Sequence, residues 1–160
     1  ILIFLPDKWH KKIGSRDMHK NFLIVFWGAQ AFILLTYSMS GIGKIYGAIA
    51  QIIAGEPSIF SLDAAALHAS SLLNNMREIT PLAPLIINYP LLGWVPLMIS
   101  VVLEVFSFPA AFRPQIHKIW ALGLILFHFG TFLVMRAIFV SPVVLLLIFF
   151  FNSPFKNKDD

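Results

Sequence analysis

The chain contains no cysteine, which excludes disulfides, iron–sulfur clusters and thiol catalysis. It is also short of charge. Only 12% of its 160 residues are charged, about half the roughly one-quarter share of a soluble domain. Hydrocarbon takes up the difference: 58% of the residues are hydrophobic, 16 are Phe and 4 are Trp, and the mean hydropathy is +0.80. The apolar residues fall in long blocks, as membrane spans do, and not in the short runs of a soluble core. The pattern predicts an all-α, polytopic transmembrane helix bundle of one domain, with about four spans and a short amphipathic connecting helix.

The net charge of +4 does not point to nucleic acid, because the basic residues sit in short segments between apolar blocks, as topology signals do. The sequence opens on the apolar run Ile1–Leu5, read as the stump of a preceding span, so that a further N-terminal portion is expected. These first residues lack the charged n-region and small-residue cleavage site of a signal peptide. Residues 1–152 are expected to form the bundle and 153–160 a polar cytoplasmic tail.

Pro6 to Lys20 is polar and holds Lys8, Lys11, Lys12, Arg16 and Lys20. Asn21 to Ala54 then carries one charge, Lys44. As a straight helix this stretch is roughly 50 Å long, against a hydrocarbon core of roughly 30 Å. It must tilt, bend or break, and Ser40-Gly41-Ile42-Gly43 is the expected place. The first span is set at about 21–43. Gly55-Glu56-Pro57-Ser58 reads as a turn, and Ser61 to Leu73 as an amphipathic helix. Its apolar face is Leu62, Ala65, Ala66, Ala69 and Leu72/Leu73, with Asp63 favouring the dipole of its first turn. Pro81, Pro84 and Pro90 break up the chain. Further spans are expected at Leu91–Phe108, Ile119–Phe139 and, after Ser141-Pro142, Val143–Phe151.

Charge asymmetry supports this order. The 6–20 loop, Arg113 and Lys118 of the 112–118 loop, and Lys156 and Lys158 of the tail hold nine of the twelve basic residues on one face. That face is expected to be cytoplasmic.

Ionisable groups within spans are costly and mark functional sites by default. Arg136 near a span end can snorkel to headgroups, and Gln30 suits an interhelical hydrogen bond. His128 suits a bond to a neighbouring helix; with no second ligand at i±3 or i±4, no metal site is expected. Lys44 and Glu104 admit two readings. They are either an intramembrane ion pair that fixes helix packing, or a proton-handling site in which a desolvated lysine acts as base.

The ordered set Leu5-Pro6-Asp7-Lys8-Trp9, Tyr37-Ser38-Met39-Ser40-Gly41-Ile42-Gly43-Lys44-Ile45, Leu62-Asp63-Ala64, Leu103-Glu104, Phe108-Pro109, Arg113 and Phe127-His128 resembles a known family. It is similar to the horizontally transferred transmembrane (HTTM) domain, the membrane module shared with vitamin K-dependent gamma-carboxylase, over roughly residues 1–152. The resemblance implies that Lys44 stands where the carboxylases place the base that activates vitamin K hydroquinone. Glu104 and His128 match recurrent positions and are candidate catalytic residues beside it. Tyr37, Gly41 and Gly43 are candidate cofactor contacts, with a quinone or bound lipid as the ligand. Gly43 departs from the family, where carboxylases have another Lys, and the large extramembrane domain of a carboxylase is not expected after the last span. A four-helix family of the DoxX type shares the Gly-x-x-Lys element and is the next candidate.

Three functions follow. The first and preferred is an accessory subunit of a larger membrane assembly, contacting lipids and other membrane protein subunits, in a bacterial inner (plasma) membrane. The second is an enzyme acting on a quinone or lipid, and the third a small transporter. In this cysteine-free chain, a cysteine pair introduced at 44 and 104 is expected to crosslink on mild oxidation. No crosslink would separate the two helices and end the ion-pair reading.

Overall fold

The computed structural model describes residues 15–76, 82–151 and 153, and among them every regular element is a helix. The expected stump at Ile1–Leu5, Lys8, Lys11 and Lys12, Arg77, Pro81, Lys156 and Lys158 lie outside the described residues.

Helix α1 spans Ser15–Ile53, 39 residues without interruption, or about 58 Å. It begins inside the segment read as a polar loop. The break expected at Ser40-Gly41-Ile42-Gly43 is absent. Those glycines remove side chains without disturbing the backbone ladder, and a helical glycine costs only about 1 kcal/mol relative to alanine, which packing offsets. The helix stops at Gly55, whose φ of +74° places it in the left-handed region that glycine tolerates. There Glu56 N–H bonds Gln51 O at 2.9 Å and Gly55 N–H bonds Ile52 O at 3.1 Å, the paired bonds of a Schellman cap.

Helix α2, Ala64–Met76, starts one turn later than its sequence suggests. The Ser58 and Ser61 hydroxyls hold residues 58–61 in a local turn, accepting from Phe60 N at 3.3 Å and Ser58 N at 3.2 Å. Asp63 therefore precedes the helix and supplies its carbonyl to Leu67 N. Ala66 and Ala69 are buried as expected, while Leu62 is exposed. The prolines then produce an unpredicted short helix, α3, Ala83–Asn88, with Pro84 in its first turn, where a missing N–H costs nothing.

The second expected span is two helices, α4 over Pro90–Val105 and α5 over Ser107–Ala111. Pro109 explains the division: it has no N–H to offer the carbonyl of Val105, four residues earlier. Helix α6, Pro114–Ile116 as a 3₁₀ turn leading into His117–Met135, ends four residues short of the expected Phe139. It stops at Arg136, in left-handed conformation at φ 52°, whose N–H bonds Phe132 O at 2.8 Å. Arg136 thus caps a helix. Helix α7, Val140–Leu146, continues into a π turn, Leu147–Phe151.

Two helical stretches, His19–Ile53 and Pro114–Met135, are long and apolar enough to cross a membrane; Pro90–Val105 and Val140–Phe151 are apolar but shorter. Helix α1 packs along α4 and α5, α6 closes on α4, and the π turn lies against α1 and α6. The core is Leu34, Tyr37, Ala110, Ala111, Ala121, Leu124, Leu146 and Phe150. Its alanines let helix backbones approach closely, as small residues do at intramembrane interfaces. The outward faces are apolar too: Phe32, Tyr46, Ile53 and Ile119 are each at least 67% exposed.

A Cβ on Gly41 would meet the backbone nitrogen of Val105 at 2.7 Å, while a Cβ on Gly43 would meet nothing within 4 Å. Gly41→Ala is expected to lower stability by about 1–3 kcal/mol, as overpacking does. Gly43→Ala should be neutral or stabilising by up to about 1 kcal/mol. Thermal unfolding of the two detergent-solubilised variants checks the contrast.

Candidate functional site

Gln30, Leu34, Tyr37, Gly41 and Ala48 are all buried. They recur at intervals of four and three, or seven, residues, so they form one stripe along α1, and Lys44 falls in the same register. Along the stripe Gln30 meets the π turn, Tyr37 meets α6 and Gly41 lies tightly against α4, at Val105 and the Cβ of Glu104. One turn beyond, Lys44 Nζ lies 2.6 Å from both Oε1 and Oε2 of Glu104. The carboxylate side chain is 3% exposed and the lysine 34%. A two-pronged, charge-assisted contact of this kind is among the strong hydrogen bonds.

The depth of the pair follows from α6. Lys44 Nζ lies 5.1 Å from the ring centroid of Phe127, within range for a cation–π contact. Phe127 stands nine residues from Lys118 and nine from Arg136, about 14 Å from each along the helix. The ammonium therefore sits level with the middle of the apolar stretch of α6.

His128 is 7% exposed and its Nε2 lies 2.7 Å from Tyr37 Oη. Its ring meets Phe139 at 4.9 Å between centroids. Among the described residues Nδ1 has no hydrogen-bond partner. Tyr37 Oη can donate to or accept from Nε2; in the tautomer in which it donates, Nδ1 carries the hydrogen and is a buried donor, and in the other Nδ1 is a buried acceptor.

Glu104 is aimed by a residue that the sequence reading did not single out for a role. Where Pro109 leaves Val105 O without a helical donor, Ser38 Oγ supplies one at 3.0 Å and also lies 3.2 Å from Glu104 O. Ser38 Oγ in turn accepts from Phe108 N at 2.7 Å. One hydroxyl from α1 thus splices the gap between α4 and α5, a side-chain insertion into the helical ladder. The signal was present: a proline inside an apolar run orphans the carbonyl four residues back.

Of the residues expected at a site, Lys44, Glu104 and Gly41 converge directly, and Tyr37 and His128 pair beside them. Gly43 does not join them, being exposed on another face of α1. Gln30 bonds across helices as expected, through Nε2 to Phe149 O at 2.6 Å.

Fold and site together define an all-helical bundle with long apolar helices that encloses an ion pair and a tyrosine–histidine pair. No family model, no curated protein and no solved structure matches the chain.

Breaking a buried ion pair from one side costs roughly 3–5 kcal/mol because the remaining charge is stranded. Lys44→Met is expected near the low end, about 3 kcal/mol, and the double variant Lys44→Met/Glu104→Leu should recover most of that loss. Ser38→Ala, which leaves Phe108 N–H and Val105 O unmatched, should cost about 1–3 kcal/mol. A double-mutant cycle of unfolding midpoints at 44 and 104 reads the coupling directly; additive losses would show that the contact holds nothing together.

Proposed function

We propose that the chain is a four-span integral membrane protein, HTTM-like in its order of motifs, that serves as an accessory subunit of a larger membrane assembly. The two long apolar helices are two of the spans. Helices α4 and α5, end to end from Pro90 to Ala111, are about 33 Å long and form another. Helix α7 with its π turn completes the count as a short, tilted crossing. Basic residues of the 6–20 and 112–118 segments and the tail favour a cytoplasmic face there, in a bacterial inner membrane.

The observation that carries the subunit reading is the state of Lys44. Its nitrogen is tied to both carboxylate oxygens of Glu104 at 2.6 Å, and a general base needs a free amine. Yet one-third of that side chain is uncovered at mid-depth, where lipid tails offer no hydrogen bond. A polar group of a neighbouring subunit would cover it in a fixed place. The surrounding aromatic and aliphatic faces give such a neighbour its contact surface.

One observation favours the reading of a quinone- or lipid-binding enzyme: Nδ1 of His128, which has no partner among the described residues, in a ring walled by Phe139. In its protonated tautomer this nitrogen would donate to a carbonyl oxygen on a flat or amphiphilic ligand. Transport draws less support, since Leu34, Ala121 and Leu124, all 0% exposed, form an apolar layer below the pair.

The test is native mass spectrometry of the protein from its own membrane in mild detergent, with extracted lipids and quinones analysed alongside. A stoichiometric protein partner is the expected result. A solitary chain carrying one quinone or lipid would overturn the subunit reading in favour of the enzyme. Proton flux in proteoliposomes that Glu104→Gln abolishes would establish the transporter instead.

A further inference from the structure

A second polar layer lies about four helical turns from the ion pair, toward the start of α1, and the functional reading leaves it unused. Gln30 is 0% exposed and His117 1%. Trp27 and His117 share one acceptor, the carbonyl of Ala111, with Trp27 Nε1 and His117 Nε2 each at 3.2 Å. Gln30 follows Trp27 by three residues, so the two side chains are neighbours on one face of α1. Both Gln30 and His117 also meet the π turn at consecutive residues. Gln30 Nε2 bonds Phe149 O at 2.6 Å, and the His117 ring lies edge-on to Phe150 at 5.3 Å.

These contacts fix which atoms donate. A carbonyl only accepts, so the Gln30 atom on Phe149 O is the amide nitrogen, and the second amide hydrogen is directed to Ser153 Oγ at 3.3 Å. For the same reason His117 carries its hydrogen on Nε2, and Nδ1 of the neutral ring is a bare acceptor. Among the described residues neither Gln30 Oε1 nor His117 Nδ1 has a hydrogen-bond partner. Two buried acceptors thus occupy one layer, and buried polar groups are normally satisfied. The molecule that satisfies two acceptors at once is a double donor small enough for a closed interior, and buried water fills that role in folded proteins.

We propose that Gln30 and His117 bind one buried water molecule, which donates one hydrogen to Gln30 Oε1 and the other to His117 Nδ1. The water ties α1 to α6 beside the π turn, whose Phe149 carbonyl accepts from Gln30. A water here also accounts for a glutamine and a histidine in a layer otherwise built of Phe, Trp and Ala. The apolar layer of Leu34, Ala121 and Leu124 keeps this site apart from the ion pair.

The test is nitrogen NMR of the full chain, labelled at its histidine side chains, in lipid nanodiscs. His117 is expected to show Nε2 protonated, Nδ1 at the shift of a hydrogen-bonded acceptor, and magnetisation transfer from water to the ring. Gln30→Met, close in size and without an acceptor oxygen, should move Nδ1 measurably toward the value of a bare nitrogen and weaken the water signal. A bare Nδ1 in the unsubstituted protein overturns the proposal, as does a ring protonated on both nitrogens. A hydrogen-bonded Nδ1 with no water transfer also overturns it, because the donor is then another protein group. Should Gln30→Met not fold, Gln30→Leu serves in its place, and the unsubstituted spectrum decides alone if neither folds.

Discussion

The structure depends on two opposite charges being brought together in surroundings that support neither alone. A lone lysine or glutamate among apolar helices would be neutralised or would pull water in. Held together at 2.6 Å, they become a neutral, hydrogen-bonded unit. Side chains set that distance only after backbones have set the spacing of helices, and Gly41 sets it here. Any Cβ at position 41 would press on Val105 and Glu104 and move α1 from α4, lengthening the ionic contact. The glycine is therefore a condition of the ion pair, and the pair in turn fixes the register of α1 against α4.

A second condition is the divided helix. Had α4 continued straight through Phe106, the backbone around Glu104 would be satisfied from within and would owe nothing to α1. Pro109 removes one of those internal bonds, and Ser38 replaces it from α1. The effect is to bolt the end of α4 to the same face of α1 that carries Gly41 and Lys44. Ser38, Gly41 and Lys44 stand three residues apart in turn, so a single helical stripe delivers the splice, the close approach and the counter-charge. Gly41 and Ser38 thus serve the neighbouring helix while the ladder of α1 runs uninterrupted.

That arrangement explains which parts were legible in the sequence. Composition and block length gave the helical class, because hydrocarbon content is a sum over residues and needs no geometry. Lys44, Glu104 and His128 stood out because ionisable groups are rare in apolar runs. The break assigned to residues 40–43 failed because glycine has two uses in a helix, flexibility and close approach, and only the partner helix decides between them. The ends of α2 and α6 shifted for a local reason: serine side chains hold the turn before α2, and Arg136 adopts a left-handed cap that sequence favours for glycine or asparagine. Ser38 and His117 were hidden for a third reason. Their roles are to satisfy backbone carbonyls 66 or 67 and 6 residues away, and such an acceptor has no identity in a sequence.

The buried polar groups do not form one continuous system. Tyr37, His128, Lys44 and Glu104 make an upper layer, and Trp27, Gln30 and His117 a lower one. Between them Leu34 of α1 and Leu124 of α6 are fully buried and Ala121 closes the gap. A file of exchangeable hydrogens would need polar atoms or water at about every 3 Å, and leucine side chains interrupt it. Each layer is therefore held on its own: the lower by the π turn and the Ala111 carbonyl, the upper by the ion pair and the Tyr37–His128 contact. This separation suits a protein whose polar groups locate helices and receive a neighbour, since charge that had to move through the bundle would meet the leucine layer first. The same layer confines any chemistry at Lys44 to the half of the bundle that holds the ion pair.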